Sequence, residues 1–141
     1  MTGIKKRSDC PLSFSLDIFG DKWSLLIIRD ILMTGKFSFS EFIRSKEKIA
    51  SNILTDRLSF LESSGIIKKH VSPKNKSKFI YSLTQKGIDL LPAMIEIMQW
   101  GAKYNADTPL PPKKIIKRYK EDKQGLIKDY LEKQREQMKG V

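Results

Sequence analysis

Apolar residues recur every three or four positions along most of this chain, and the rhythm turns strand-like only between about residues 66 and 83. Pro11 to Phe19 reads as a short first helix, because proline suits the first helical turn and Gly20 ends it. Asp21 caps a second helix from Lys22 to about Met33. In it Trp23, Leu26, Ile27 and Ile31 share one face while Leu25, Ile28 and Leu32 cover another, which places this helix at the centre of the fold. Thr34 and Gly35 stop it, and Ser38 with Glu41 three residues on forms a capping-box pattern that opens a third helix through Arg44. A charged turn, Ser45 to Lys48, leads to a fourth helix on which Leu54, Leu58 and Leu61 lie at helical spacing before Gly65 stops it.

Two strand-like runs, IIKKHVS and KFIYSL, bracket a turn-rich tip from Pro73 to Ser77, so a β-hairpin is expected. Thr84 then caps a long helix from Gln85 to about Tyr104, kinked at Pro92. The order of four helices, a hairpin and a further helix is that of a winged helix-turn-helix, a mostly α fold with a small β-hairpin. Three domains of organisation follow: 1–106 as the winged-helix and dimerisation unit, 107–112 as a proline-rich linker, and 113–141 as a basic extension of one helix or two short ones.

Charge narrows the function. The 141 residues carry 27 Lys and Arg against 16 Asp and Glu, a net +11 that favours a polyanionic partner, nucleic acid or an anionic membrane surface. The longest strictly apolar run, Leu25 to Ile28, is far short of a membrane span, and the basic start lacks a continuous apolar stretch, so a soluble cytoplasmic protein without a membrane partner is expected. One cysteine, Cys10, and one histidine, His70, cannot build an internal disulfide or a four-ligand Cys/His zinc site. His70 sits among lysines with no nucleophile or carboxylate paired to it by any motif, so neither an enzyme nor a bound cofactor or metal is expected.

The segments CPLSFSLDIFGDKWSLLIIRDIL, FSFSEFIRS, IASNILTDRLSFLESSGII, IYSLTQKG and LLPAMIEIMQWG, in this order and spacing, resemble the HxlR-type transcriptional regulators, relatives of the MarR group. The resemblance covers about Cys10 to Gly101 and implies a homodimeric, DNA-binding regulator. Some members of that family sense quinones, aldehydes or hypochlorite through a cysteine just before the proline, and the resemblance implies the same role for Cys10. The chain departs from the family pattern at Phe79, Ile80 and Tyr81 after Lys78, and in a longer tail.

Stepping 100° per residue along the fourth helix gathers Leu54, Leu58 and Leu61 on one side, flanked by Ile53 and Phe60, and leaves Asn52, Thr55, Asp56, Ser59 and Ser63 on the other. Small polar side chains suit a helix in the major groove: Asn52 can bond adenine twice, Thr55 can meet a thymine methyl or a phosphate, and Asp56 can accept from a cytosine amine. Ser51 stands at the helix start, where free N–H groups hold phosphate. A solvated helix face is the plainer alternative. Arg57 falls on the buried flank and is expected in an internal ion pair or carbonyl cap rather than on a base. Lys22, Arg44 and Lys46 near the helices, and Lys74, Lys76 and Lys78 at the wing, are placed for phosphates. From Ile66 to Ser82 there are five lysines and no acid.

On the long helix Ile88, Leu91, Ile95 and Met98 form one apolar stripe, and Leu90, Met94, Ile97 and Tyr104, with Trp100 at the edge, form a second. The second is expected at a subunit interface together with Leu12, Phe14, Leu16 and Phe19 of the first helix, unless the tail folds back over it. At Cys10 the helix dipole and Lys5, Lys6 and Arg7 favour a reactive thiolate, with an inert cap residue as the alternative. The expected function is a sequence-specific transcriptional regulator, a homodimer on a palindromic operator of double-stranded DNA, with an oxidant or electrophile as inducer at Cys10. The alternative is a sequence-indifferent nucleic-acid-binding or architectural protein.

Overall fold

The computed structural model describes residues 6–105, 107–108 and 111–141. Four helices come first: α1 (Pro11–Phe19), α2 (Ser24–Met33), α3 (Phe39–Ile43) and α4 (Ser51–Ser63). A two-stranded antiparallel sheet follows, β1 (Ile67–Val71) and β2 (Phe79–Leu83), registered from Ile67 opposite Leu83 to Val71 opposite Phe79. Helices α5 (Gln85–Ile88), α6 (Leu91–Tyr104), α7 (Lys113–Glu121) and α8 (Lys123–Met138) complete the chain. This is the winged helix-turn-helix expected from the apolar rhythm, with an α-helical addition.

The core is built where the sequence is apolar on most sides. Ile27, Ile28, Ile31 and Leu32 of α2 are buried, and Leu54, Leu58 and Leu61 pin α4 beneath them, each leucine worth about 2 kcal/mol of transfer free energy. The start of α2 is set by Asp21, whose carboxylate accepts from the N–H groups of Trp23 and Ser24 at 3.0 and 2.9 Å and from the Ser24 hydroxyl at 2.6 Å, so Lys22 lies in the capping turn rather than in the helix. In the capping box before α3, Glu41 reaches back to the Ser38 hydroxyl and to the N–H of Phe37. Gly65, at φ 76°, takes the left-handed turn that ends α4.

The long helix expected from Gln85 to Tyr104 is two helices. A proline ring at position 92 would collide with the carbonyl four residues back, so the chain breaks at Asp89 and Leu90 and begins again, with Pro92 in the first turn of α6. Thr84 caps the first piece: its hydroxyl oxygen accepts from the Gly87 N–H at 3.1 Å and its proton goes to the carbonyls of Gly65 and Ile66.

The extension is packed onto the domain. Tyr119, Leu126, Ile127 and Tyr130 join the common core, and the Tyr119 hydroxyl donates to the carboxylate of Glu96 on α6. The division between α7 and α8 falls at Asp122, whose carboxylate accepts from the Gly125 N–H at 2.9 Å. The proline-rich linker expected at 107–112 lies partly outside the described residues, at 109 and 110, as does Lys5 of the basic arm. Among the described residues no helix is long and apolar enough to cross a membrane.

Candidate nucleic-acid interface

Helix α4 turns its small polar side chains to the solvent. Ser51, Asn52, Thr55, Asp56 and Ser59 are all exposed, as is Ser63, while the leucine stripe is inside. The helix cap is Ala50, which offers no side-chain acceptor, so the first N–H groups of α4 remain open beside Ser51. Thr55 donates its proton to the carbonyl of Ser51 at 2.9 Å, which leaves its methyl group and hydroxyl lone pairs for an incoming ligand.

Arg57 is held inside the subunit. It bonds Asp56 at 3.0 Å and Asp21 at 3.4 Å, and its guanidinium lies over the Phe60 ring at 4.6 Å. Burial alone would raise the Asp21 carboxyl, but hydrogen bonds from Ser24 and from the N–H groups of Trp23 and Ser24, together with the Arg57 charge, hold it below the usual carboxylate range. Helix α4 is thereby tied to the cap of α2. Arg57 holds Asp56 through Oδ2, so Oδ1 can accept from a base while the pair stays closed.

A second tie, not read from the sequence, fixes the turn between α3 and α4. Asp30 is 3% exposed in the midst of the apolar α2. It accepts from Arg29 at 2.8 Å and from the Ser45 hydroxyl at 2.6 Å, and Lys36 donates to Ser45 at 3.0 Å. Arg29 also clasps Glu47 with two bonds of 2.9 Å. These bonds from Arg29 are the chief cause that pulls the Glu47 carboxyl down to about 2. The signal for this cluster was present in the sequence: an Arg-Asp pair inside a helix otherwise apolar on most sides must find partners.

Beside α4, the wing presents Lys68, Lys69, Lys74, Lys76 and, half-buried, Lys78. Lys74 is engaged, donating to the carbonyl of Gly140 at 2.8 Å, and Lys69 lies 4.0 Å over the exposed Phe79 ring. Lys76 has no ion pair among the described residues. Lys22, Arg44 and Lys46 are exposed, with Lys22 resting on Trp23. His70 meets the Ser82 hydroxyl at 2.7 Å, and burial, aided by Lys68, pushes its imidazole below the usual range. Among the described residues no group of three or more His, Cys, Asp and Glu side chains could hold a metal ion.

On α6, Ile97, Trp100 and Tyr104 stay outside, at 51%, 68% and 68% exposure, and the tail does not cover them. Met94, expected with them, is 3% exposed and belongs to the subunit core, and Leu90 is half-buried at the helix break. Met94 follows Leu91 by three positions, about 60° round α6, so the buried stripe of Leu91 and Ile95 is wide enough to take it in. On α1, Leu12, Phe14 and Leu16 are exposed, while Phe19 packs partly against the core. Cys10 is the exposed cap residue of α1, and Arg7 pairs with Asp17 at 2.6 Å, which neutralises one of the charges expected to act on the thiol.

Comparison with known proteins agrees with this geometry. Residues 18–109 match the HxlR-like helix-turn-helix family. The uncharacterised HTH-type transcriptional regulator YdeP of Bacillus subtilis (strain 168) is 38% identical over 106 residues, covering 72% of this chain and 82% of that protein. The reduced form of the transcriptional regulator YodB from B. subtilis superposes with a TM-score of 0.56 at 32% identity, covering 69% of this chain and 95% of YodB. The redox regulator HypR in its reduced form does so with a TM-score of 0.60 at 35% identity, over 70% of this chain and 95% of HypR. With its winged-helix fold, the exposed polar face of α4 and the match over residues 18–109, the chain belongs to the HxlR family of helix-turn-helix transcriptional regulators.

Proposed function

We propose that the protein binds an operator in double-stranded DNA as a two-fold homodimer, with α4 in the major groove and the wing on the flanking backbone. The observation that carries this reading is the division of α4 into a buried leucine stripe and an outward face of Ser51, Asn52, Thr55, Asp56 and Ser59. Asn52 and Thr55 supply contacts to base edges, and Asp56 supplies one through the Oδ1 that Arg57 leaves open. Ser51, Lys22, Arg44, Lys76 and Lys78 supply phosphate contacts, with Lys74 contributing as far as its bond to Gly140 allows. The exposed apolar side chains of α1 (Leu12, Phe14) and α6 (Ile97, Trp100, Tyr104) supply the subunit interface.

Selection from a pool of random duplexes tests this reading. The expected product is an approximate palindrome with half-sites about 34 Å apart, bound at least about a thousandfold more tightly than random duplex. A pool that shows no enrichment sinks it and favours the sequence-indifferent, architectural reading, which rests on the net charge of +11 alone.

Sensing through Cys10 is an added layer of the same proposal. Its support is an exposed thiol at the start of a nine-residue helix and the likeness to YodB, whose structures include quinone-bound and diamide-treated forms, and to HypR. Attack of the Cys10 sulfur on a quinone ring carbon forms a thioether, and the sulfur's proton passes to the ring oxygen. As the chain has one cysteine, a regulatory disulfide can form only with a partner subunit or a small thiol, the two electrons passing to an added oxidant such as diamide. Benzoquinone treatment should add one ring mass at Cys10 and weaken binding to the selected duplex, and Cys10→Ser should abolish both effects. Unchanged binding by the fully modified protein removes the sensor.

A further inference from the structure

The two-stranded wing is held at both ends by the C-terminal extension. A lone hairpin is marginally stable in water, and the edge of β2 turned away from β1 carries main-chain groups that need partners. The Tyr81 N–H on that edge donates to the carbonyl of Phe37 at 2.7 Å. Two residues further along, at the wing base, the partner is a side chain of α8. Leu83 N–H donates to Gln134 Oε1 at 2.7 Å and Gln134 Nε2 donates to the Leu83 carbonyl at 3.2 Å, so one amide group stands where a third strand would pair. Gln134 is 6% exposed, which keeps water from replacing these bonds. At the opposite end of the hairpin, Lys74 on the tip donates to the carbonyl of Gly140. Helix α8 is in turn fixed by Leu126, Ile127 and Tyr130 in the core.

This support comes from residues C-terminal to those that match the family. The family match ends at residue 109, and YodB and HypR, each matched over 95% of its length, account for only 69% and 70% of this chain. We propose that Gln134 is a positioning residue of the DNA interface: through Leu83 it fixes the wing base and, with Gly140 at the tip, makes α8 a splint that sets where Lys76 and Lys78 stand. A wing ordered in advance pays less for ordering when it meets the duplex. This inference rests on the reading of the wing as a phosphate-contacting element.

The test uses the full chain and two variants, Gln134→Met, which keeps side-chain length and removes both bonds to Leu83, and a chain ending at Lys139, which keeps Gln134 and removes the tip contact. Each is prepared with and without Lys76→Ala. Amide exchange is followed at Leu83 and across residues 71–79, and affinity and salt slope are measured on the duplex that the intact protein selects. Gln134→Met is expected to speed exchange at Leu83 and through the hairpin at least about tenfold while α4 keeps its protection. Gln134 and Lys76 share no bond, so independent sites would give additive effects. The splint instead predicts that the affinity loss caused by Lys76→Ala shrinks to half or less of its wild-type size, on a logarithmic scale, once Gln134 is replaced. Should Gln134→Met fail to fold, the chain ending at Lys139 decides, by the same loss of protection at residues 73–78 and the same coupling to Lys76. Unchanged hairpin exchange, or an equal effect of Lys76→Ala in every background, overturns the positioning role and leaves the wing reading intact. A Lys76→Ala chain that binds the duplex with wild-type affinity and slope overturns the wing reading and the inference with it.

Discussion

Lys48 stands in the turn between α3 and α4 with φ at 57°, in the left-handed region that a long side chain enters at a cost of about 1 kcal/mol or more. The turn needs it there because Ile49, the next residue, is buried and must point into the core. Lys48→Asn is expected to raise stability by about 0.5–1 kcal/mol, seen as a higher melting temperature, because asparagine tolerates this conformation. Directly before the left-handed Lys48, Glu47 carries a pH signature. Its carboxyl titrates at about 2 in the fold against 4.5 when free. The unfolded chain therefore binds the proton first, and the stabilisation is complete above pH 4.5 and lost as pH falls toward 2. Urea unfolding between pH 6 and pH 2.5 should show a smaller acid loss for Glu47→Gln than for the wild type; equal losses would mean that the clasp with Arg29 does not persist in solution. His70 works in the same direction at higher pH. Its lowered imidazole leaves the unfolded chain the better proton acceptor, so stability also declines as pH drops through about 6.5.

The elements themselves were largely legible, and the reasons differ from one to the next. Helix α4 follows from strict helical periodicity, in which Leu54, Leu58 and Leu61 leave one choice of buried face, and the hairpin from two strand-like runs around the turn-rich tip from Pro73 to Ser77. The division of α5 from α6 was hidden, because Pro92 signals a disturbance without saying whether the chain bends or restarts, and Met94, about 60° from Leu91 round the helix, joins a buried stripe wider than the one expected. The packing of Gln134 on Leu83 joins residues 51 positions apart, and no local pattern announces such a bond. Closeness of backbone was equally invisible at Gly87. A Cβ atom there would stand 2.3 Å from the carbonyl oxygen of Ile66, since Thr84 draws the start of α5 against the end of α4. Gly87→Ala is expected to cost about 2–3 kcal/mol in chemical denaturation, more than helix propensity could return, and a variant as stable as the wild type would show that the contact is not as close as described.

At the scale of the whole molecule, three surfaces are arranged around one core: the α4 face, the basic wing, and the apolar side chains of α1 and α6 that the extension leaves open. The last of these is the proposed subunit interface, where Trp100 and Tyr104 meet at a tilt with ring centroids 5.4 Å apart and are both 68% exposed. Trp100→Glu should give the monomer mass of 16.3 kDa in light scattering at micromolar concentration, where the wild type gives twice that, and it should weaken operator binding by more than a hundredfold through lost bivalency. A wild-type monomer would remove the palindrome from the account. The claim on which the rest depends is that α4 reads sequence and the wing reads charge. Titration of the selected and random duplexes at several salt concentrations, with Asn52→Ala and Lys76→Ala side by side, tests it most directly. Asn52→Ala should reduce the preference for the selected duplex by about tenfold or more at an unchanged salt slope, whereas Lys76→Ala should weaken both duplexes alike and lower the slope by about one counterion. If Asn52→Ala leaves the preference as it was, α4 does not read the bases.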